Sequence, residues 1–256
     1  MILKDKVVII TGAGPGMGQA MCRGAAAEGA KVIVSARSKD AIERLAGEIV
    51  EAGGEAIAVP CDVSKTEQCN ALAKAALNKW GRIDGLVNSA YYHPDWLGLD
   101  THSIDQLLMA LDVIAVGAVR MAQAVIPTMR AQKSGSIVNV STLATRKPMP
   151  GEGGYAMAKA ALNQMSRQLA VELSGSGIRV NTALMGWMMG APLEEYIASL
   201  GDGAEAFRNQ RSAEIPVGHI PPDADCAKAV YFLLSDYASE MTGAALDVNG
   251  GDWVAV

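Results

Sequence analysis

The sequence predicts one α/β domain: a doubly wound, seven-stranded parallel sheet with helices on both faces. Three observations lead there. Short β-branched runs alternate with helical stretches along the whole chain. The strand runs are apolar throughout, as strands covered on both faces must be. No linker or low-complexity segment interrupts the rhythm, so the 256 residues read as a single domain, 1–256.

The elements follow in order. Residues 6–11 are β-branched and short, a buried strand, and a Gly-rich turn follows. Small residues then favour a helix over 16–29. A second strand spans 31–36. Ser38 and Asp40 signal a helix start, and Gly53-Gly54 ends that helix. A strand over 55–60, a helix over 64–80 stopped by Gly81 and a strand over 83–89 complete the first half. The second half opens with a long helix centred on 107–129. A strand at 136–141, a helix at 154–174 and a strand at 178–184 follow, then a helix at 223–235 and a strand at 244–248. The Met-, Gly- and Pro-rich segment 185–222 is the least regular, and it reads as a substrate-binding lid after a strand end, where open α/β sheets bind ligands.

Composition excludes several function classes. Net charge is −5 and no Lys/Arg cluster stands out, which argues against a nucleic-acid partner. The apolar stretch 113–129 is cut by Arg120 and Pro127, so no membrane span is expected. Cys22, Cys61, Cys69 and Cys226 lack CxxC spacing and read as small buried hydrophobes in a reducing, cytoplasmic setting. No signal peptide is expected ahead of the first strand. His93, His102 and His219 are scattered, so no metal site is expected.

Two motifs carry chemistry. The turn Thr11-Gly12-Ala13-Gly14-Pro15-Gly16-Met17-Gly18 lies between a strand and a helix, the context of a dinucleotide seat. Gly12, Gly16 and Gly18 permit a tight turn and close backbone approach. The helix N-terminus, at Met17, then offers N–H groups to a pyrophosphate beside Gly14. At the end of the second strand, Ser35-Ala36-Arg37-Ser38 holds no carboxylate for a ribose 2′-OH. Arg37 can instead pair with a 2′-phosphate, which favours NADP(H) over NAD(H). The second motif is Tyr155 and Lys159, one helical turn apart and facing the same side. An ammonium beside a phenol favours its ionised form, so Tyr155 is expected to be held acidic.

With these residues in view, the whole chain resembles the short-chain dehydrogenase/reductase family. The Gly turn, Asp62-Val63, Asn88, Tyr155/Lys159 and Asn249-Gly250-Gly251 carry the resemblance. It implies a Rossmann-type fold and a nicotinamide cofactor. It implies Tyr155 as general acid/base, Lys159 at the nicotinamide ribose, and Asp62 and Val63 near the adenine. Asn88, Ala90 and Gly186 then line the cofactor floor. The family's substrate-orienting Ser falls at Thr142, thirteen residues before Tyr155, with Ser141 as its rival. The family's Asn in the long helix falls at Ile114, which leaves its proton relay in question. A dimer or tetramer is also implied.

Two segments are expected to flank the nicotinamide. Tyr91, Tyr92, His93 and Trp96 form one, Trp187 and Met188 the other, a concentration of rings in a chain only 5% aromatic. They suggest a bulky, mostly apolar small-molecule substrate, cyclic or polycyclic. The expected reaction interconverts a secondary alcohol and a ketone. The alternative is a cofactor-binding protein of the same fold with weak or no turnover. Arg146 and Lys147 are further candidates, for a substrate carboxylate.

Overall fold

The computed structural model describes residues 1–254. Seven strands form one sheet: β1 Val7–Thr11, β2 Lys31–Ser35, β3 Glu55–Ala58, β4 Gly85–Asn88, β5 Gly135–Thr142, β6 Ile178–Met185 and β7 Ala245–Val248. Their order is β3-β2-β1-β4-β5-β6-β7, and every pairing is parallel. The winding direction reverses between β1 and β4, where Thr11 pairs with Asn88. Such a switch point opens a crevice at the strands' carboxyl ends.

Because side chains alternate across a strand, each face of the sheet has its own core. Val8, Ile10, Val32 and Val34 pack with α1 (Met17–Ala27), α2 (Lys39–Glu51) and α9 (Asp223–Leu234). Val7, Ile9, Leu86 and Ile137 pack on the other face with α3 (Thr66–Trp80) and α5 (Gly117–Gln132). The expected absence of polar alternation in the strands follows from this double cover.

The long helix is one stretch with a fault. Its first part, α4 (Ile104–Leu111), passes through a π-turn at Asp112–Val116 into α5. The stretch Ile104–Gln132 is long and apolar enough to cross a membrane by length and composition, but half of its apolar window is buried inside the fold. It faces the sheet and α6 (Gly153–Glu172).

The segment 185–222 departs from the expected irregularity. It contains α7 (Ala191–Ser199) and α8 (Ala204–Glu214). Pro192 sits in the first turn of α7, where its missing N–H costs nothing. Both helices are short, and α8 buries none of its residues, so it lacks the apolar stripe that marks a helix in sequence. A bridge between Met189 and Pro222 closes the base of the excursion. From there α7 reaches back until Pro192 touches the Gly turn at Gly16.

Candidate active site

The Gly turn leaves β1 with Gly12 at φ +71° and reaches Gly16 at φ +80°, both in the left-handed region that suits glycine. A Cβ on Gly12 would strike the backbone of Ser89 and Ala90, and one on Gly18 would strike the Gly12 carbonyl. Gly14 differs, because a Cβ there would meet nothing within 4 Å. Two glycines are thus demanded by the fold, while the third leaves room over the cleft. No side chain caps the N-terminus of α1, so its first N–H groups are available to an anion. These features fit a dinucleotide pyrophosphate.

At the end of β2, Arg37 is exposed and forms no ion pair among the described residues. Nearby, the Asp62 carboxylate accepts the Ser64 N–H at 2.9 Å. Burial pushes this carboxyl up, but the Ser64 bonds, Lys65 and Arg37 bring it below its ordinary value. The Val63 side chain is buried in the core and the Asn88 side chain is spoken for. Asn88 donates to Asn139 at 2.8 Å, Asn139 to Ser166 at 2.7 Å, and Ser166 to the Leu162 carbonyl at 2.8 Å. That buried chain ties β4 and β5 to α6. Val63 and Asn88 can therefore meet a cofactor only through backbone. Ala90 is half-buried beside Gly12.

Tyr155 and Lys159 lie on α6 and Thr142 ends β5. All three line a cleft of about 480 Å³ together with Gly12, Gly14, Gly16, Met17, Gly18 and Gly186. The Lys159 ammonium lies 5.6 Å from the Tyr155 ring centroid and donates to the Val140 carbonyl at 2.6 Å. Lys159 is only 2% exposed, and burial lowers it to about 7. Burial also raises Tyr155 above its ordinary value, helped by Glu152 and Tyr91; the Thr142 hydroxyl alone pulls the other way. The expectation of a phenol kept acidic by its neighbour therefore fails for the free protein. Desolvation penalises both charges and favours neutral tyrosine.

The Thr142 hydroxyl faces the cleft and accepts the Ala144 N–H at 3.2 Å. The rival Ser141 is 2% exposed, and its hydroxyl has no partner among the described residues. Ile114 lies in the π-turn and packs with Ala110, Ala118, Ala158 and Leu162, so an apolar contact occupies that position.

The cleft runs into a larger cavity of about 680 Å³, and the two share Trp96, Thr142, Glu152, Gly186 and Met188. Trp187 joins its wall, edge-on to Phe207 at 6.1 Å and covered by Arg211 at 4.5 Å. Tyr91 sits edge-on to Tyr155 at 6.4 Å. His93 stacks between Trp96 at 4.5 Å and Tyr155 at 4.9 Å. Tyr92 does not join them: it packs between the long helix and α6, because neighbouring residues of an extended loop point to opposite sides. Arg146 and Lys147 are likewise committed elsewhere. Arg146 pairs with Asp247 at 3.0 Å and covers Trp253, and Lys147 pairs with Asp252 at 2.7 Å, which pins the C-terminal segment.

Sequence reasoning missed Glu152, Tyr196 and Phe207, all on the larger cavity's wall. Glu152 had a signal: it stands three residues before Tyr155, on the same helical face. Tyr196 and Phe207 had none, since their helices were not foreseen. Among the described residues no group of His, Cys, Asp or Glu could hold a metal ion.

Comparison with known proteins agrees with this geometry. A family profile described as enoyl-(acyl carrier protein) reductase matches residues 12–252. A 3beta-hydroxysteroid dehydrogenase of Eggerthella lenta is 34% identical over 256 residues, covering 97% of this chain and 94% of its own length. A 2,5-dichloro-2,5-cyclohexadiene-1,4-diol dehydrogenase of Sphingobium indicum is 32% identical over 255 residues, covering 99% and 98%. The solved L-sorbose reductase of Gluconobacter frateurii, complexed with NADPH and L-sorbose, superposes with a TM-score of 0.94 at 27% identity over 100% of both chains. With the Gly turn, Thr142, Tyr155 and Lys159 gathered at one switch point, the chain belongs to the short-chain dehydrogenase/reductase family of nicotinamide-dependent oxidoreductases acting on CH–OH groups.

Proposed function

We propose that this enzyme interconverts a secondary alcohol and a ketone on a bulky, mostly apolar cyclic substrate, with NADP(H) preferred over NAD(H). One observation carries the reading: Thr142 lines both the glycine cleft and the apolar cavity, and Tyr155 lines the cleft beside it. The bound nicotinamide supplies or accepts the hydride. Thr142 donates to the substrate oxygen. Tyr155 carries the proton exchanged with that oxygen. Being raised above its ordinary value, the phenol of the free protein is protonated, the state that carbonyl reduction needs. Lys159, once charged, holds the nicotinamide ribose and steadies the phenolate. Gly12, Gly14, Gly16, Met17 and Gly18 seat the pyrophosphate, with backbone contacts from Asp62, Val63, Asn88, Ala90 and Gly186.

The cavity supports the substrate class. Met149, Met188, Leu193, Trp187 and Phe207 wall it, and methionine adapts to irregular apolar shapes. The steroid and cyclohexadiene-diol relatives point to rings. Arg37, exposed at the end of β2 and without an ion pair among the described residues, supports the 2′-phosphate. Exposed Ile104, Leu108, Met109 and Met157 support a homo-oligomer, and four free cysteines suit the cytoplasm.

The test is Tyr155→Phe with NADPH and a panel of cyclic ketones. Turnover should fall by about 10²-fold or more while NADPH binding persists. Retained turnover would refute the assignment.

A further inference from the structure

Glu152 presents a puzzle that the roles above do not absorb. It is 8% exposed and, among the described residues, it is the one charged side chain on the wall of the larger cavity. A carboxylate is costly to bury without partners, because it loses its hydration. The helix does not use it as a cap: Glu152 occupies the N-cap position of α6, yet its side chain makes no capping bond.

Among the described residues, its side chain has one partner, His93. The His93 Nδ1 lies 2.6 Å from the Pro94 carbonyl, which can only accept, so Nδ1 carries a proton. Nε2 faces Glu152 Oε2 at 3.3 Å. An unprotonated nitrogen and a carboxylate oxygen would repel, so a further proton lies between them. Stacking against Trp96 and Tyr155 locks the ring. Oε2 is thereby held, while Oε1 accepts no hydrogen bond among the described residues, and Glu152 lines the cavity. Glu152 and Tyr155 share the first turn of α6, which places their Cβ atoms about 5–6 Å apart.

We propose that Glu152, braced by His93, is a specificity-determining residue that accepts a hydrogen bond from a second hydroxyl on the substrate, one or two carbons from the reacting carbinol. A carboxylate can only accept, so its complement must donate. A substrate without that donor leaves the Oε1 acceptor buried without a hydrogen bond, a stronger discriminator than apolar fit. The substrate class is then a ring with an apolar body and a hydroxylated edge. This deepens the alcohol/ketone reading and rests on it.

The test separates binding from turnover. Tyr155→Phe protein loaded with NADP⁺ is titrated with trans-1,2-cyclohexanediol and with cyclohexanol, followed by the fluorescence of Trp96 and Trp187. The diol should bind at least tenfold tighter. Adding Glu152→Met should shrink that gap to within about threefold, and Glu152→Gln, which keeps one acceptor oxygen, should fall between. If the Met variant does not fold, the Gln variant decides alone and must narrow the gap. Equal binding of the two ligands, no binding of either, or a gap untouched by these variants overturns the proposal. Diol preference in this assay, with neither alcohol oxidised by the Tyr155 enzyme, would instead sink the alcohol/ketone reading and leave the Glu152 subsite standing.

Discussion

Replacing Lys159 with Met should make the free protein more stable and inactive, with a pH signature that identifies the cause. Lys159 is 2% exposed, with the Val140 carbonyl as its hydrogen-bond acceptor. Burial lowers it from 10.5 to about 7. At 1.36 kcal/mol per tenfold, that corresponds to about 5 kcal/mol against the folded state whenever the lysine is charged in both states. Below pH 7 the cost is fully present. Between 7 and 10.5 the unfolded chain binds more protons, so wild-type stability rises with pH. Above 10.5 the lysine is neutral in both states and the cost is gone. Met is unbranched and of similar length, and never carries the charge. Losing the donor to Val140 returns about 1 kcal/mol. Lys159→Met should therefore exceed wild type by about 4 kcal/mol at pH 6. The margin should shrink by about 3 kcal/mol by pH 9.5. Urea unfolding of cofactor-free protein, followed by tryptophan fluorescence, measures it. Parallel stability curves for the two proteins across that range would refute the reasoning. Activity at pH 7 should be lost.

Thr142→Ser should retain activity, while Thr142→Ala should lose at least tenfold in kcat/KM, about 1.4 kcal/mol or more; if Ser141→Ala is the damaging change, the donor is misassigned. Arg37→Asp should raise the KM for NADPH by about 10–150-fold, the worth of one charge-assisted contact of about 1.5–3 kcal/mol, with little effect on NADH; an unchanged NADPH/NADH ratio removes the 2′-phosphate role. Gly12→Ala should cost about 1–2 kcal/mol from its φ alone, plus the clash with Ser89 and Ala90, and lower Tm. Gly14→Ala should leave Tm nearly unchanged and weaken cofactor binding, because its Cβ points into open cleft; equal melting losses in both variants would contradict that division.

Local signals carried much of the architecture. Strand ends fell within two residues of the expected ones, since continuous apolar runs and Gly stops are local properties. The Gly turn was equally legible, because its conformation is written in residue type. The lid was not. Pro192, short length and the unburied residues of α8 hide these helices in the sequence. The committed partners of Arg146 and Lys147 were equally hidden: Asp247 and Asp252 are about a hundred residues distant in sequence.

By itself the chain's residue order determined the alternation of strands and helices, the glycine turn and the spacing of Tyr155 and Lys159, while Thr142 was marked only by the family resemblance. The first three follow from periodicity, glycine conformations and spacing along one helix. Only the tertiary structure decided their electrostatic state. Closure of α6, the Tyr91–Trp96 loop and the 185–222 helices removes water from the site. A phenol expected to ionise is thereby raised, an ammonium is lowered, and a carboxylate absent from any motif becomes the charged wall of the cavity. Solvent exclusion depends on what folds over a residue, and neighbours in sequence do not record it.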